Sequence, residues 1–176
     1  MKQTLYLIAG ANGSGKTTLA RELLHDEKIT FLNPDEIAAE INDRVGLAAG
    51  KILLKRLDEI FKAKKSFAME STISGQHHLR VLERAGKAGY EIVLIYVFLD
   101  NVALNIARVQ KRVKLGGHNV PEADIRRRWT KSVCNFSRTA GLADRWKLYY
   151  NGHDNYELVA EKGRATVSGT KFHSVV

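Results

Sequence analysis

Cysteine is nearly absent from this chain. Cys134 is the only one in 176 residues, which excludes an internal disulfide and a cysteine-rich zinc site. Its helical, apolar surroundings predict ordinary packing. No apolar run approaches the roughly 20 residues that a membrane span requires. Met1 to Leu5 passes straight into an apolar strand with no signal-peptide pattern, so the expectation is a cytoplasmic protein with no membrane partner. Repeats, low-complexity segments and linkers are missing too, which predicts a single domain over residues 1–176. Aromatic residues make up only 8% of the chain. No stacking platform accompanies its basic residues, and that makes a nucleic-acid partner the weaker explanation of its charge.

What is present is a globular composition, 44% apolar and 27% charged, with a net charge of +9. The most informative stretch is TLYLIAGANGSGKTT, residues 4 to 18. Gly10, Gly15, Lys16 and Thr17 fill the pattern G-x-x-x-x-G-K-T. The intervening Ala11, Asn12, Gly13 and Ser14, with Thr18 beyond, complete a loop whose backbone N–H groups can face a polyphosphate. Lys16 brings a charge to the outer phosphates, and the Thr17 hydroxyl is a ligand for Mg²⁺. The flanks fit: Leu5, Leu7 and Ile8 read as a buried parallel strand, and Thr17 to Leu24 as a helix whose positive dipole end faces the phosphates. ATP and Mg²⁺ are the implied cofactors.

Alternation continues downstream. Ile29–Leu32 reads as a strand and is followed by a helix beginning near Asp35. Residues 46–65 form a longer amphipathic helix, and Ser66–Glu70 a third strand. Gln76–Ala88 is helical and ends at Gly89, and Glu91–Leu99 is the most apolar strand. Helices follow over Asn101–Val113 and Pro121–Leu142, then a strand over Arg145–Tyr150. A hairpin over Tyr156–Val167, turning at Lys162-Gly163, or a simple tail completes residues 152–176. The pattern predicts an α/β, three-layer P-loop NTPase fold with a mainly parallel five-stranded sheet, helices on both faces and an arginine-rich lid.

Ligand sites in such sheets lie beyond the carboxyl ends of the strands. Asp35 follows the second strand and is the candidate for the base that accepts a substrate hydroxyl proton. Glu70, Ser71 and Thr72 follow the third. Glu70 can orient Mg²⁺ through water or bind substrate, and residue type alone leaves both open. Asp100, after the fourth strand, reads as a helix cap instead.

Charge concentrates in ARVQKRVKLGGHNVPEADIRRRW. Arg108, Lys111, Arg112, Lys114, Arg126, Arg127 and Arg128 stand there against Glu122 and Asp124. Two basic helices flank Gly116-Gly117, so residues 114–121 read as a mobile lid loop, with His118 belonging to that motion. With about 100° per residue, Ile125, Trp129, Ser132, Val133 and Phe136 mark an inward stripe. Arg128 lies beside it, and Arg127 is expected on the opposite side. By the same reckoning Arg112 flanks its helix's stripe more closely than Arg108. Arg112 and Arg128 are therefore the expected pair closing over a transferring phosphoryl group. Lys62, Lys64 and Lys65 fit a solvated basic face.

IAGANGSGKTT, FLNPDEIA, FAMESTISG, RVQKRV with GGHNVPEADIRRR, and LADRWKLYYN together resemble the zeta toxin family of P-loop kinases, in a short, single-domain form. The resemblance implies transfer of the ATP γ-phosphate to a hydroxyl of a small anionic acceptor, with a nucleotide sugar such as UDP-N-acetylglucosamine as the family's substrate. By position it implies ATP and Mg²⁺ binding by Lys16 and Thr17, Asp35 as base, and Glu70 with Thr72 in the acceptor site. Arg112 with an arginine among 126–128 becomes the charge-stabilising pair, and Asn151 lies near the nucleotide base. An antitoxin is the implied protein partner. Nucleoside or nucleotide kinases share the loop and the arginine lid and form the alternative class. An ATP-switched nucleic-acid-binding protein is a third.

Overall fold

The computed structural model describes residues 2–24, 29–41, 43, 47–152 and 155–162. Among them are six strands and six helices. They are β1 (Thr4–Ala9), α1 (Lys16–Leu23), β2 (Thr30–Leu32), α2 (Pro34–Glu40), α3 (Leu47–Lys62) and β3 (Phe67–Ser71). Then come α4 (His77–Lys87), β4 (Glu91–Phe98), α5 (Val102–Lys114), α6 (Glu122–Gly141), β5 (Arg145–Tyr150) and β6 (Glu157–Glu161). The strands form one sheet in the order β2-β3-β1-β4-β5-β6. All neighbours are parallel except β5 and β6. This is the P-loop NTPase fold with six strands where the sequence pattern predicts five. The pattern makes β6 one arm of a hairpin closed by the residues after Gly163. β6 pairs with β5 and extends the sheet by one edge, while the expected turn at Gly163 and the second arm lie outside the described residues.

Strand sequence explains position in the sheet. β1 and β4 are apolar on both sides of the pleat, and residues 92–98 of β4 are all buried, as parallel strands covered on two faces require. One face, carrying Leu5, Leu7, Leu94 and Tyr96, packs against Leu53 and Leu57 of α3, Leu82 and Ala85 of α4, and Phe136 of α6. The other, carrying Ile8, Val93, Ile95 and Val97, receives Leu19 and Ala20 of α1. A smaller cluster of Ile106, Val109, Val120 and Ile125 joins α5 to the start of α6. The arginine-bearing helices are thus fastened together by their own apolar stripe.

Local chemistry sets the element starts. Asn33, not Asp35, caps α2: its side chain accepts the Asp35 N–H at 3.0 Å, with Pro34 as the first helical residue. Asn101, not Asp100, caps α5 by accepting the Ala103 N–H at 2.8 Å. Asp100 accepts the Tyr150 hydroxyl at 3.2 Å. Cys134 is exposed rather than packed, because it sits on the outer side of α6 while Ser132 and Phe136 take the inner one.

Candidate functional site

The chain direction across the sheet reverses beside β1, since β2 and β3 lie on one side of it and β4 to β6 on the other. Register aligns Ile8 with Glu70 and Ala9 with Ser71. The loop leaving β1 therefore emerges directly against the end of β3, at the topological switch point where α/β sheets bind ligands.

Gly10–Gly15 turns there through positive φ values at Gly10, Gly13 and Gly15. All three glycines are also required by close approach. A Cβ on Gly10 would overlap the Val97 carbonyl, one on Gly13 the Asn105 carbonyl, and one on Gly15 the Asn151 amide. The loop is braced from three directions. Asn105 of α5, fully buried, donates to the Asn12 carbonyl at 2.7 Å. Asn151 at the end of β5 donates to the Ser14 carbonyl at 2.8 Å. Tyr156, just before β6, donates to the Gly15 carbonyl at 2.8 Å and meets the Thr18 side chain. Burial of that phenol raises its pKa.

Glu70 is the hub of the floor. It accepts the Thr17 hydroxyl at 2.7 Å and the Asn33 amide at 3.4 Å, and its other oxygen lies 3.5 Å from the Lys16 ammonium. Lys16 also donates to the Ala11 carbonyl at 3.0 Å. Both charged groups are buried, so each relies on the other. Strand register delivers the Glu70 carboxylate to Thr17 at the floor of the site.

Around this floor opens a cavity of about 720 Å³. Asn12, Gly13, Gly15, Lys16, Thr17, Thr18 and Asn151 line it from the loop side. Asp35, Glu70, Ser71, Thr72, Ser74 and His77 line it from the ends of β2 and β3. Gly10, Ala11 and Ser14 do not. They are buried behind the loop, where the Gly10 N–H is used by the Ser71 carbonyl at 3.2 Å.

Four arginines close the remaining side, namely Arg108 and Arg112 of α5 with Arg127 and Arg128 of α6. Arg128 donates to the Asn12 side chain at 3.3 Å, and Arg112 to the His118 carbonyl at 2.9 Å while its buried Nε makes no hydrogen bond. Arg127 departs from the helical-wheel expectation. It lines the cavity while pairing with Asp124 at 2.7 Å one turn back, and that pairing holds the Asp124 carboxyl below the usual range. Arg126 pairs with Glu122 at 2.7 Å and stays outside. Arg108 lines the cavity together with Arg112, one turn apart on α5. His77, at the edge, has its pKa lowered by burial and by Arg80.

Sequence reasoning does not find Arg108, Arg127, Asn105, Tyr156 or His77. For the arginines a signal is present in the basic helices, but an angle about the helix axis does not show that Arg108 and Arg127 also reach the cavity. For Asn105, an amide on the apolar stripe of α5 is the available sign. No local signal marks Tyr156.

The cavity is lined by five cations (Lys16, Arg108, Arg112, Arg127, Arg128) against two carboxylates (Asp35, Glu70), so an anionic ligand is what it can hold. Among the described residues no helix is long and apolar enough to cross a membrane. A phosphate loop at the switch point of a parallel sheet, roofed by arginines, defines a P-loop protein. The chain belongs to the Zeta toxin family, whose model matches residues 1–163. An uncharacterized protein of Haemophilus influenzae is 32% identical over 133 residues, covering 73% of this chain and 94% of that one. A structure from the PezAT chromosomal toxin-antitoxin system of Streptococcus pneumoniae superposes with a TM-score of 0.68 at 15% identity, covering 95% of this chain and 75% of that one. The AvrRxo1-ORF1:AvrRxo1-ORF2 complex with ATP gives a TM-score of 0.69 at 14% identity, covering 91% of this chain and 58% of its own. At these identities the two structures speak for the shared fold.

Proposed function

We propose that this protein is an ATP- and Mg²⁺-dependent kinase that phosphorylates a hydroxyl of a small anionic acceptor, with a nucleotide sugar such as UDP-N-acetylglucosamine as the leading candidate. The observation that carries this reading is one cavity bounded by a phosphate loop, an unburied carboxylate and four arginines. Membership of the Zeta toxin family supports it.

In this reading Lys16 and the loop N–H groups hold the β- and γ-phosphates of ATP. The residues also suit Mg²⁺. Thr17 offers a hydroxyl, and Glu70, 2.7 Å from it, offers a hard carboxylate able to orient a metal-bound water. Among the described residues there is no cluster of three or more His, Cys, Asp and Glu. That suits an ion held chiefly by phosphates and water. When bound, Mg²⁺ neutralises phosphate charge and holds the transferring group in line.

Asp35 has its backbone N–H satisfied by Asn33, leaving its side chain at the cavity. It accepts the acceptor's hydroxyl proton as that oxygen bonds to the γ-phosphorus and the bond to ADP breaks. Arg112 and Arg128 stabilise the charge on the transferring group, with Arg108 and Arg127 beside them. Thr72 and Ser71 present hydroxyls to the acceptor. A nucleoside or nucleotide acceptor is the second reading, favoured by the number of cavity arginines, which suit any phosphate-bearing molecule. This reading includes an antitoxin partner, supported by the family and by the similar structure from a toxin-antitoxin system.

The deciding experiment incubates the protein with ATP, Mg²⁺ and a metabolite extract, with UDP-N-acetylglucosamine and a panel of nucleosides and nucleotides run in parallel. Mass spectrometry is expected to show one species heavier by one phosphoryl group. Absence of any phosphorylated product would overturn the kinase assignment, and a product confined to nucleosides or nucleotides would move the acceptor to the second reading.

A further inference from the structure

Ile73 is a β-branched residue at φ 45°, in the left-handed region where such side chains are genuine outliers. Its side chain is fully buried in the main core, and its neighbours Thr72 and Ser74 line the cavity, their hydroxyls 2.8 Å apart. The left-handed turn is what reverses the chain between them and brings both hydroxyls to one side. A strained conformation persists only where its surroundings over-determine it. Here two hydrogen bonds do so: the Ile73 N–H donates to the Ser71 hydroxyl at 3.0 Å, and the Ile73 carbonyl accepts the Asn135 amide at 2.7 Å.

Asn135 belongs to α6, two turns beyond Arg128, and seven residues return to about the same helix face. One face of α6 therefore delivers Arg128 to Asn12 of the phosphate loop and Asn135 to the turn after β3. Between them Ser132 meets the Tyr96 hydroxyl at 3.0 Å, and Trp129 donates to the Leu99 carbonyl at 3.2 Å, which seats this stretch of helix on the sheet.

We propose that Asn135 is a positioning residue for the acceptor: it pins the strained Ile73 turn to the arginine helix, so that the Thr72 and Ser74 hydroxyls are held in fixed register with Arg128. The role rests on the kinase reading, with Thr72 and Ser74 on the acceptor side. Asn135 touches no reacting atom and acts through Ile73.

The test uses Asn135→Asp, which keeps the shape and removes the donor, and Asn135→Ala as a second variant should the first fail to fold. Hydrogen exchange across residues 71–75 is expected to accelerate by about tenfold or more while the exchange of β1 and β4 is unchanged. With UDP-N-acetylglucosamine or whichever acceptor the metabolite screen yields, the acceptor KM is expected to rise about tenfold and the ATP KM to stay within about twofold. Unchanged exchange overturns the pinning. Faster exchange with an unaltered acceptor KM, or equal rises in both KM values, reduces Asn135 to a structural residue and overturns the positioning role. If no acceptor is phosphorylated by the wild-type protein, the kinase reading falls and the acceptor role with it. The exchange measurement still decides whether Asn135 pins the turn.

Discussion

Glu70 accepts the Thr17 hydroxyl through one carboxylate oxygen and faces the Lys16 ammonium at 3.5 Å through the other. Neither neighbour is close to it in sequence. The pairing exists because β3 lies beside β1 with Glu70 opposite Ile8, so the end of one strand reaches the loop leaving the other. Glu70→Gln keeps an acceptor for Thr17 but leaves the buried Lys16 without its counter-charge. Without nucleotide, stability is expected to fall by about 2 kcal/mol, or roughly 4–8 °C in Tm for a chain of this size. Saturating ATP should recover part of the loss by supplying phosphate charge. Thermal melts with and without ATP read both effects, and an unchanged Tm would show that the pair contributes nothing.

Asp35 and Lys16 should separate chemistry from binding. Asp35→Ala is expected to lower the transfer rate by about 10²–10⁴-fold with ATP affinity nearly unchanged. Lys16→Ala is expected to abolish measurable nucleotide binding. Calorimetry with a non-hydrolysable ATP analogue, alongside a phosphate-transfer assay, distinguishes the two. Near wild-type transfer by the Asp35 variant would remove it as the base.

Arg128 and Arg126 stand two residues apart with opposite expected outcomes. Arg128→Ala should lower kcat by about 10³-fold, since an arginine at the transferring phosphoryl group contributes on that scale. Arg126→Ala loses only an exposed pair with Glu122, and its kcat should stay within about twofold. Equal losses would mean that α6 sits differently in the working enzyme.

His78 should make stability depend on pH. It is buried between α4 and α6, with Nε2 3.1 Å from the Thr139 hydroxyl. That hydroxyl already donates to the Asn135 carbonyl at 2.7 Å, so His78 donates to it as the neutral Nε2–H tautomer. Burial, with His77 and Arg138 nearby, lowers its pKa from 6.5 to about 4. The unfolded chain therefore takes up the proton first. The stabilising contribution is full above pH 6.5 and is lost as pH falls toward 4, by roughly 2–3 kcal/mol in all. Chemical denaturation at pH 7.5 and pH 4.5 measures this, and His78→Gln should flatten the difference. An equal pH dependence in that variant would assign it to other groups.

Gly10–Thr17, Asp35 and the basic helices are legible in the sequence because each is a local pattern with a local cause: backbone freedom, a strand end, a helical stripe. The helical wheel does not place Arg127 at the cavity because an angle about the helix axis describes Cα positions, whereas a long side chain reaches well beyond its own Cα. Residue type leaves Glu70 between two roles because register between strands is not written in either strand. That β6 pairs with β5 is likewise not written in β6 itself, since the partner is set by the open edge of the sheet.

By itself, then, the sequence determined the phosphate loop, the alternation of strands and helices, the apolar strands that make a parallel sheet, and the concentration of arginine in one segment. Each arises from interactions within a few residues. Only the tertiary structure decided that Glu70 serves Thr17 and Lys16, that Asn105, Asn151 and Tyr156 brace the loop, that four arginines share one cavity, and that Asn135 holds Ile73 in its left-handed turn. Those are meetings between residues far apart in the chain, and they are fixed by how buried faces pack and how neighbouring strands align.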